Sequence, residues 1–447
     1  MDFEHFIKQA AHVKPDTKQL RMLRETPFYL FVHFSPNTYT DLEWGDGTED
    51  PAIFNPEKLD CEQWARAALS AGAKGIVLTA KHHDGFCLWQ SKYTEHCMKN
   101  SPYKNGRGDI VKECSDACRK YGLKFGFYLS PWDRNSKYYG TPEYNDYYCN
   151  QLTELLTNYG EIFHVWFDGA CGEGANGKKQ VYDFERYLAL IEKYQPNATY
   201  FNDAGIIRWC GNESGTAAHA QWAVVPSELC FLNKNIQTGE GPFSGSLNGI
   251  YNTDEDLGAL NNILYSKGLV FSPAETDMSI RPGWFWHKEE EPHSLERLFN
   301  TYLGTVGGNT TFNLNVPPKR DGLFDERDIQ RLKELGELVQ KTFAKELSGG
   351  VPIEKKKISD TQAEYTLRLK ERVFVSYIDI AENIAEGQRV ENFHVFFRNE
   401  DGQLYRRAAS TTIGSRRILR TMDDTDMVVI RISSARDDTD IEWIRLY

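Results

Sequence analysis

The sequence predicts an α/β protein: a (β/α)8-like barrel over residues 1–348, then an antiparallel β-sandwich over 349–447. Three observations carry this. Short apolar runs alternate with amphipathic stretches from Phe28 to Val316, the rhythm of right-handed βαβ units around a parallel sheet. After Gly349-Gly350 the helical period stops and only short strand patterns separated by turns remain. Finally, the short run Glu161–Ala170, EIFHVWFDGA, ends on a carboxylate, Asp168, before Gly169. Parallel α/β barrels keep their chemistry at the C-terminal ends of strands. An Asp before Gly is also ordinary loop chemistry, so Asp168 gains weight only from its neighbours.

Taken in order, Phe28–Phe34 (FYLFVHF) follows Pro27 as a continuous apolar run, which suits a strand covered on both faces. Cys61–Ala71 is helical in period and stops at Gly72. Gly75–Ala80 is the second strand and leads into KHHDGF. Asp109–Tyr121 is a helix stopped by Gly122, Leu123–Leu129 a strand, and Thr141–Tyr159 a long helix before the Asp168 strand. Tyr182–Tyr194 (helix) and Ala198–Asn202 (strand) continue the alternation. The pattern is fainter through Asp256–Ser266 (helix), Leu269–Phe271 (strand), Ser294–Leu303 (helix), Thr310–Val316 (strand) and the amphipathic helix Glu326–Ala344. Between Gly205 and Thr253 no period assigns a strand. No glycine-rich phosphate fingerprint follows the first strand, which argues against a dinucleotide site. In the tail, Tyr365–Leu369, Val373–Ile378, His394–Phe397, Thr411–Ile413, Met427–Ile432 and Ile441–Leu446 read as short strands. They carry no cluster of catalytic type, so support of the barrel is the expected role.

Hydrophobic content is 40% and charged content 26%, ordinary for a globular chain. The net charge of −12 argues against nucleic acid or an anionic membrane as partner. No apolar run reaches the ~18 residues of a membrane span, and the start, MDFEHFIKQAAHVKP, has no signal-peptide core. A periplasmic or secreted location would require a signal removed ahead of this numbering; a cytoplasmic one would not. The nine cysteines, Cys61 to Cys230, show no paired CxxC spacing and are expected to be free thiols.

Polar and aromatic residues recur where strands finish. His33 ends the first; Glu43 and Trp44 follow. His82, His83 and Asp84 end the second, with Trp89 beyond. Tyr128 and Trp132 close the third and Asp168 the fourth. Arg208, Trp209 and Glu213 are placed in the loop after the fifth, and Trp284, Trp286 and His287 after a later one. Singly, each reads as packing. Together they converge only at the loop face of a barrel. Adjacent strand residues face opposite sides, so His82 and His83 share a pocket only if the chain has already turned, for which Asp84-Gly85 is apt. A metal centre on His33, His82, His83 and Asp168 is the rival, but no HxH spacing exists and neighbouring histidines chelate one ion poorly. No metal and no cofactor are expected. Two carboxylates fit glycoside hydrolysis, with Asp168 on a rigid strand end as nucleophile and Glu213 on a loop as acid/base. The histidines and Arg208 would bind sugar hydroxyls and Trp284 would offer an apolar wall, selective for a 6-deoxy sugar.

FVHFSPNTYTDLEWG, LTAKHHDGFCLW, GFYLSPWDR, VWFDGA, RWCGNESG and SIRPGWFWH together resemble the retaining α-L-fucosidases of glycoside hydrolase family 29, over residues 20–320. The resemblance implies a fucosylated oligosaccharide or glycoconjugate as substrate, with Asp168 as nucleophile. It also implies a fucose pocket lined by His33, Glu43, Trp44, His82, His83, Tyr128, Arg208 and Trp284. RWCGNESG resembles the acid/base motif of the α-1,3/1,4-specific subgroup, about 45 residues after the nucleophile; 213 − 168 = 45. Two other classes are weighed: a fucose-binding barrel without turnover, disfavoured by the two carboxylates, and a metal-dependent hydrolase.

Overall fold

The computed structural model describes residues 3–201, 206–228, 256–264 and 266–447. Asn202 and Cys230, and most of the stretch between Gly205 and Thr253, lie outside the described residues.

The barrel strands are β1 (Phe28–Val32), β2 (Gly75–Lys81), β3 (Lys124–Leu129), β4 (His164–Trp166), β5 (Thr199–Phe201) and β6 (Arg208–Trp209). After a two-stranded antiparallel pair, β7 (Val224–Pro226) and β8 (Leu269–Phe271), come β9 (Ala274–Ser279) and β10 (Thr310–Asn315). The barrel sheet runs β5-β4-β3-β2-β1-β10-β9-β6, with parallel pairing throughout. A single parallel pairing of Phe201 with Ile207 brings its two edges together. All five residues of β1 and all seven of β2 are buried, as expected of strands with helices outside and a filled barrel inside.

The helices have local causes. Asp60 caps Cys61–Ala71 by accepting the Gln63 N–H, and Gly72 ends it at φ +83, where a side chain would be strained. Asp109 caps Ile110–Tyr121 in the same way. Further helices are Glu143–Asn158, Phe184–Tyr194, Leu295–Thr305 and Glu326–Thr342. No helix among the described residues is long and apolar enough to cross a membrane.

Three expectations for the barrel are corrected. Leu269–Phe271 is a strand, but it pairs with β7 outside the barrel. The barrel strand is the polar run AETDMS of β9. Arg208 and Trp209 form a strand rather than part of a loop. The helix expected over Asp256–Ser266 is only Leu260–Ile263 among the described residues.

The tail holds β11 (Glu354–Lys357), β12 (Ala363–Glu382), β13 (Val390–Arg398), β14 (Leu404–Ser410), β15 (Arg417–Ala435) and β16 (Ile441–Leu446). Tyr365–Leu369 and Val373–Ile378 are one continuous strand; Thr411–Ile413 is not a strand, whereas Leu404–Ser410 is. β12 and β15 pair along their lengths with a register slip between Arg368 and Val373. The first part of β12 also pairs with β11, the last part with β16. Both parts bury side chains in one core: Tyr365 and Leu367 from the first, Ile378 and Ile380 from the second, Ile444 and Leu446 from β16. This core is separate from the barrel's. Buried hydrogen bonds join the two. Gln388 accepts the Ala223 N–H at 2.7 Å and donates to the Gln221 carbonyl at 3.1 Å, and the Arg436 guanidinium lies 3.5 Å over the Trp222 ring.

Candidate active site

The HHDG turn works as the sequence predicts. β2 ends at Lys81, whose ammonium turns into the protein to Asp133 and Gln151, both at 2.9 Å. The Gly85 N–H closes a turn on the His82 carbonyl at 3.0 Å, with Gly85 at φ +78. Asp84 is fully buried, accepting the Ser35 hydroxyl and the Phe86 N–H, both at 2.7 Å, and burial pushes its carboxyl up to about 7. The His82 and His83 rings therefore come to rest side by side, 4.2 Å apart, with His33 5.6 Å from His82.

The hydrogen-bond partners determine which nitrogen of each imidazole carries the proton. Asn315, at the end of β10, donates its amide to the Trp284 carbonyl at 2.8 Å and to Ser279 at 2.9 Å, so its oxygen faces His33. That oxygen takes the His33 backbone N–H at 3.1 Å and Nδ1 at 2.8 Å, so Nδ1 is the protonated nitrogen and Nε2 keeps a lone pair. Ser130 gives its proton to the Trp132 carbonyl at 2.6 Å and so accepts from His83 Nδ1 at 2.7 Å. His83 Nε2 is again an acceptor, 3.8 Å from Asp168. Asn37 donates to the Glu43 carbonyl at 3.1 Å and faces His82 Nδ1 at 3.5 Å with the same amide nitrogen, which leaves the His82 proton on Nε2. Burial lowers all three: His33 to about 3, His82 well below its usual value, and His83 against the opposing pull of Asp168. The pocket is thus lined by neutral imidazoles, two presenting an acceptor nitrogen and one a donor.

Asp168 lies two residues beyond β4. Its carboxylate accepts the Tyr128 hydroxyl at 3.2 Å and the Ala170 N–H at 2.7 Å, and its side chain is 25% exposed. Tyr128 is fully buried, and desolvation followed by the Asp168 charge raises its phenol, so it remains a donor. Glu213 follows β6 on a loop sewn to β9: the Cys210 N–H bonds Glu275 O at 2.9 Å, the Gly215 N–H bonds Asp277 O at 3.1 Å, and the Trp209 indole bonds the Asp277 carboxyl at 3.1 Å. Glu213 is an exposed residue of this loop, and its carboxyl accepts the Trp284 indole N–H at 3.1 Å. Desolvation raises it; the Trp284 bond pulls it back, and the charges of Asp168 and Glu43 push it up further.

Trp284 lies with its ring 5.1 Å from that of His33. Trp44 is 58% exposed and stands edge-on to His83 and to Trp132, at 5.8 and 5.6 Å, forming part of the rim. Glu43 is held differently from a simple pocket carboxylate. One of its oxygens takes the Trp284 N–H at 2.8 Å, and the other takes the Phe285 N–H at 3.2 Å and His287 Nε2 at 2.7 Å.

Arg208 is not brought to this pocket. It pairs with Ala274, the first residue of β9 and so at the opposite end of the barrel from Ser279 and Asn315, and its guanidinium donates to the Ser272 and Trp222 carbonyls. Trp89 is buried, donating to Glu154 at 2.9 Å. Trp286 donates to Asp325. Asn37, Ser130 and Asn315, which orient the histidines, were invisible in the sequence because their partners lie up to 282 residues away. Among the described residues no group of three or more His, Cys, Asp or Glu is arranged to hold a metal ion, and the cysteines there are free thiols, all but Cys171 buried.

Comparison with known proteins agrees with this geometry. The family model "Alpha-L-fucosidase" matches residues 30–342. Alpha-L-fucosidase 1 of Arabidopsis thaliana is 38% identical over 449 residues, covering 94% of this chain and 84% of that protein. The crystal structure of a glycoside hydrolase 29 family member from a rumen bacterium superposes with a TM-score of 0.84 at 36% identity, over 98% of this chain and 78% of that one. A Ruminococcus gnavus GH29 fucosidase, solved in complex with fucose, gives 0.85 at 30% identity over 98% and 95%. With a barrel whose strand ends gather two carboxylates and neutral histidines, and with these relatives along nearly its whole length, the chain belongs to the α-L-fucosidases of glycoside hydrolase family 29.

Proposed function

We propose that this fucosidase acts with retention, Asp168 as nucleophile and Glu213 as acid/base, and that it removes α-1,3/1,4-linked L-fucose from branched, Lewis-type glycans. The observation that carries the reading is the contrast between two carboxyls of one pocket. Asp168 is held by two hydrogen-bond donors. Glu213, on an exposed loop, has a carboxyl pushed towards its protonated form by partial desolvation and in part by the charge of Asp168 itself. An attacking carboxylate must be ionised and aimed; a proton donor must be kept protonated.

In this reading an Asp168 oxygen attacks the anomeric carbon while Glu213 gives its proton to the departing glycosidic oxygen. The bond to the leaving sugar breaks as the fucosyl–Asp168 ester forms. Glu213, now ionised, takes a proton from water, the water oxygen attacks the same carbon, and the ester breaks to free Asp168. His33 and His83 accept from fucose hydroxyls, His82 donates, and Trp44 and Trp284 supply apolar faces. Support for the linkage comes from RWCGNESG and the 45-residue spacing between the carboxylates. The same proposal gives residues 1–348 the chemistry and 349–447 the support of the segment before β7, for which the Gln388 and Arg436 contacts speak.

A hydrolysis panel tests it. Lewis a and Lewis x trisaccharides should be cleaved at least about tenfold faster than α-1,2- or α-1,6-fucosylated glycans, a factor worth about 1.4 kcal/mol of transition-state binding. Equal or reversed rates would contradict the linkage.

A further inference from the structure

The mechanism leaves a chain of charges unused. His287 lies between two carboxylates, with Nδ1 2.7 Å from Asp41 and Nε2 2.7 Å from Glu43. Neither carboxylate needs it for the chemistry. Glu43 takes the Trp284 and Phe285 backbone N–H groups, and the Trp284 indole N–H in turn reaches Glu213. The contacts therefore run without a gap from Asp41 to the proton donor. The packing is tight along the way. A Cβ on Gly283 would lie 2.7 Å from the Glu43 oxygen and 2.9 Å from the His287 ring, so a side chain there would displace one or both members of the ion pair. Asp41 itself sits in the left-handed region at φ +63, as the cap of the short helix Asn37–Thr40.

We infer that Asp41 and His287 are positioning residues for the acid/base: the ionic chain Asp41–His287–Glu43 fixes the Trp284 backbone so that its indole N–H holds the Glu213 carboxyl at the cleavage point. This rests on the proposed role of Glu213. The groups facing His287 are Asp41, Glu43 and Glu290; burial lowers its basicity, but the bonds to Glu43 and Asp41 outweigh that and the ring is raised above its usual value. Below that value the imidazolium binds both carboxylates; as pH rises through it the cation, and the grip on Glu43, are lost.

Removing the cation acts on Glu213 in one direction by two routes. A looser Trp284 ceases to hydrogen-bond the ionised carboxyl, and one positive charge near two carboxylates disappears. Both favour the protonated form of Glu213. The test compares the parent, Glu213→Gln, His287→Gln and Asp41→Asn on two substrates: a Lewis trisaccharide, whose leaving group needs a proton, and α-L-fucosyl fluoride, whose leaving group needs little. His287→Gln should lower kcat on the trisaccharide by about tenfold or more and on the fluoride by less than about threefold. It should also move the alkaline limb of kcat/KM on the trisaccharide upward by about half a pH unit or more. Asp41→Asn keeps a residue that tolerates positive φ and should shift both readouts less, in the same sense. Where His287→Gln unfolds early by thermal melting, Asp41→Asn carries the test. Equal losses on both substrates with an unmoved limb would overturn the inference while leaving Glu213 in place, provided Glu213→Gln itself discriminates strongly. Absence of discrimination by Glu213→Gln would overturn the acid/base reading and the positioning role with it.

Discussion

Replacing Asn315 by Asp changes one atom pair and should invert the polarity of a sugar contact. In the parent the Asn315 oxygen accepts from the His33 N–H and from Nδ1, and burial holds the ring neutral down to about 3. An aspartate oxygen at the same 2.8 Å would stabilise the imidazolium, raising the His33 pKa. Protonation converts Nε2 from acceptor to donor, so a fucose hydroxyl that gave it a proton loses that bond in a desolvated site. The loss is about 1–3 kcal/mol, or about 5- to 150-fold in affinity. The sign with pH follows. Parent affinity should be independent of His33 between pH 5 and 8, whereas in Asn315→Asp it should be weakest in acid and recover as pH rises through the new pKa. Calorimetric titration with free fucose across that range is the assay, with thermal melting alongside because the lost donations to Ser279 and Trp284 cost stability. A folded variant with parental affinity and a flat pH profile would refute the account of how Asn315 sets the histidine.

Other consequences are independent of that one. Asp168→Asn should keep the fold and lose about 10³-fold or more in turnover, read in initial rates, because covalent catalysis has no substitute for its nucleophile; near-parental rates would remove Asp168 from that role. Glu213→Gln should lose far more activity on oligosaccharide than on fucosyl fluoride, and azide, which needs no base, should restore turnover of the activated substrate. Trisaccharide hydrolysis near the parental rate would place the proton donor elsewhere. Long-range proton–nitrogen spectra should show His33 and His83 protonated at Nδ1 and His82 at Nε2, without titration of His33 between pH 5 and 8; a different tautomer at any of the three would break the assignment made from Asn315, Ser130 and Asn37. His82→Ala or His83→Ala should weaken fucose binding by about 1–3 kcal/mol, measured by the same calorimetry.

Apolar runs made the barrel legible wherever a strand faces helices outside and aliphatic or aromatic neighbours inside, as β1, β2 and β3 do. They failed at β9, where all six residues of AETDMS are buried yet two are carboxylic acids. Glu275 is satisfied inside the barrel by the Tyr29 hydroxyl, the Trp166 indole at 2.7 Å and Asn313 at 3.2 Å, and Asp277 by Trp209. A polar strand in a hydrogen-bonded interior has no hydrophobic signature. In the tail, Lys370–Arg372 read as a turn between two strands, but β12 continues through it with a register slip.

At the site, the turn at HHDG and the carboxylate after the Trp166 strand were legible because local chemistry dictates them: a buried Asp84 accepting Phe86 N–H, a glycine at positive φ, a strand that ends. Arg208 was misplaced because residue type alone cannot tell the top of a barrel from the bottom. Only pairing with Ala274 sets its level. Glu43 was expected in the pocket lining, and its use as a clamp on Trp284 depends on a loop 241 residues away.

The central claim, two carboxylates dividing nucleophile and acid/base roles, is tested most directly by the stereochemistry of the first product. Proton NMR during hydrolysis of a Lewis trisaccharide should show α-L-fucose appearing first, with the β anomer growing in only by mutarotation. Intact-mass analysis after trapping with a 2-deoxy-2-fluoro fucosyl donor should find the label on Asp168. Initial release of β-L-fucose, or a label on another residue, would contradict it.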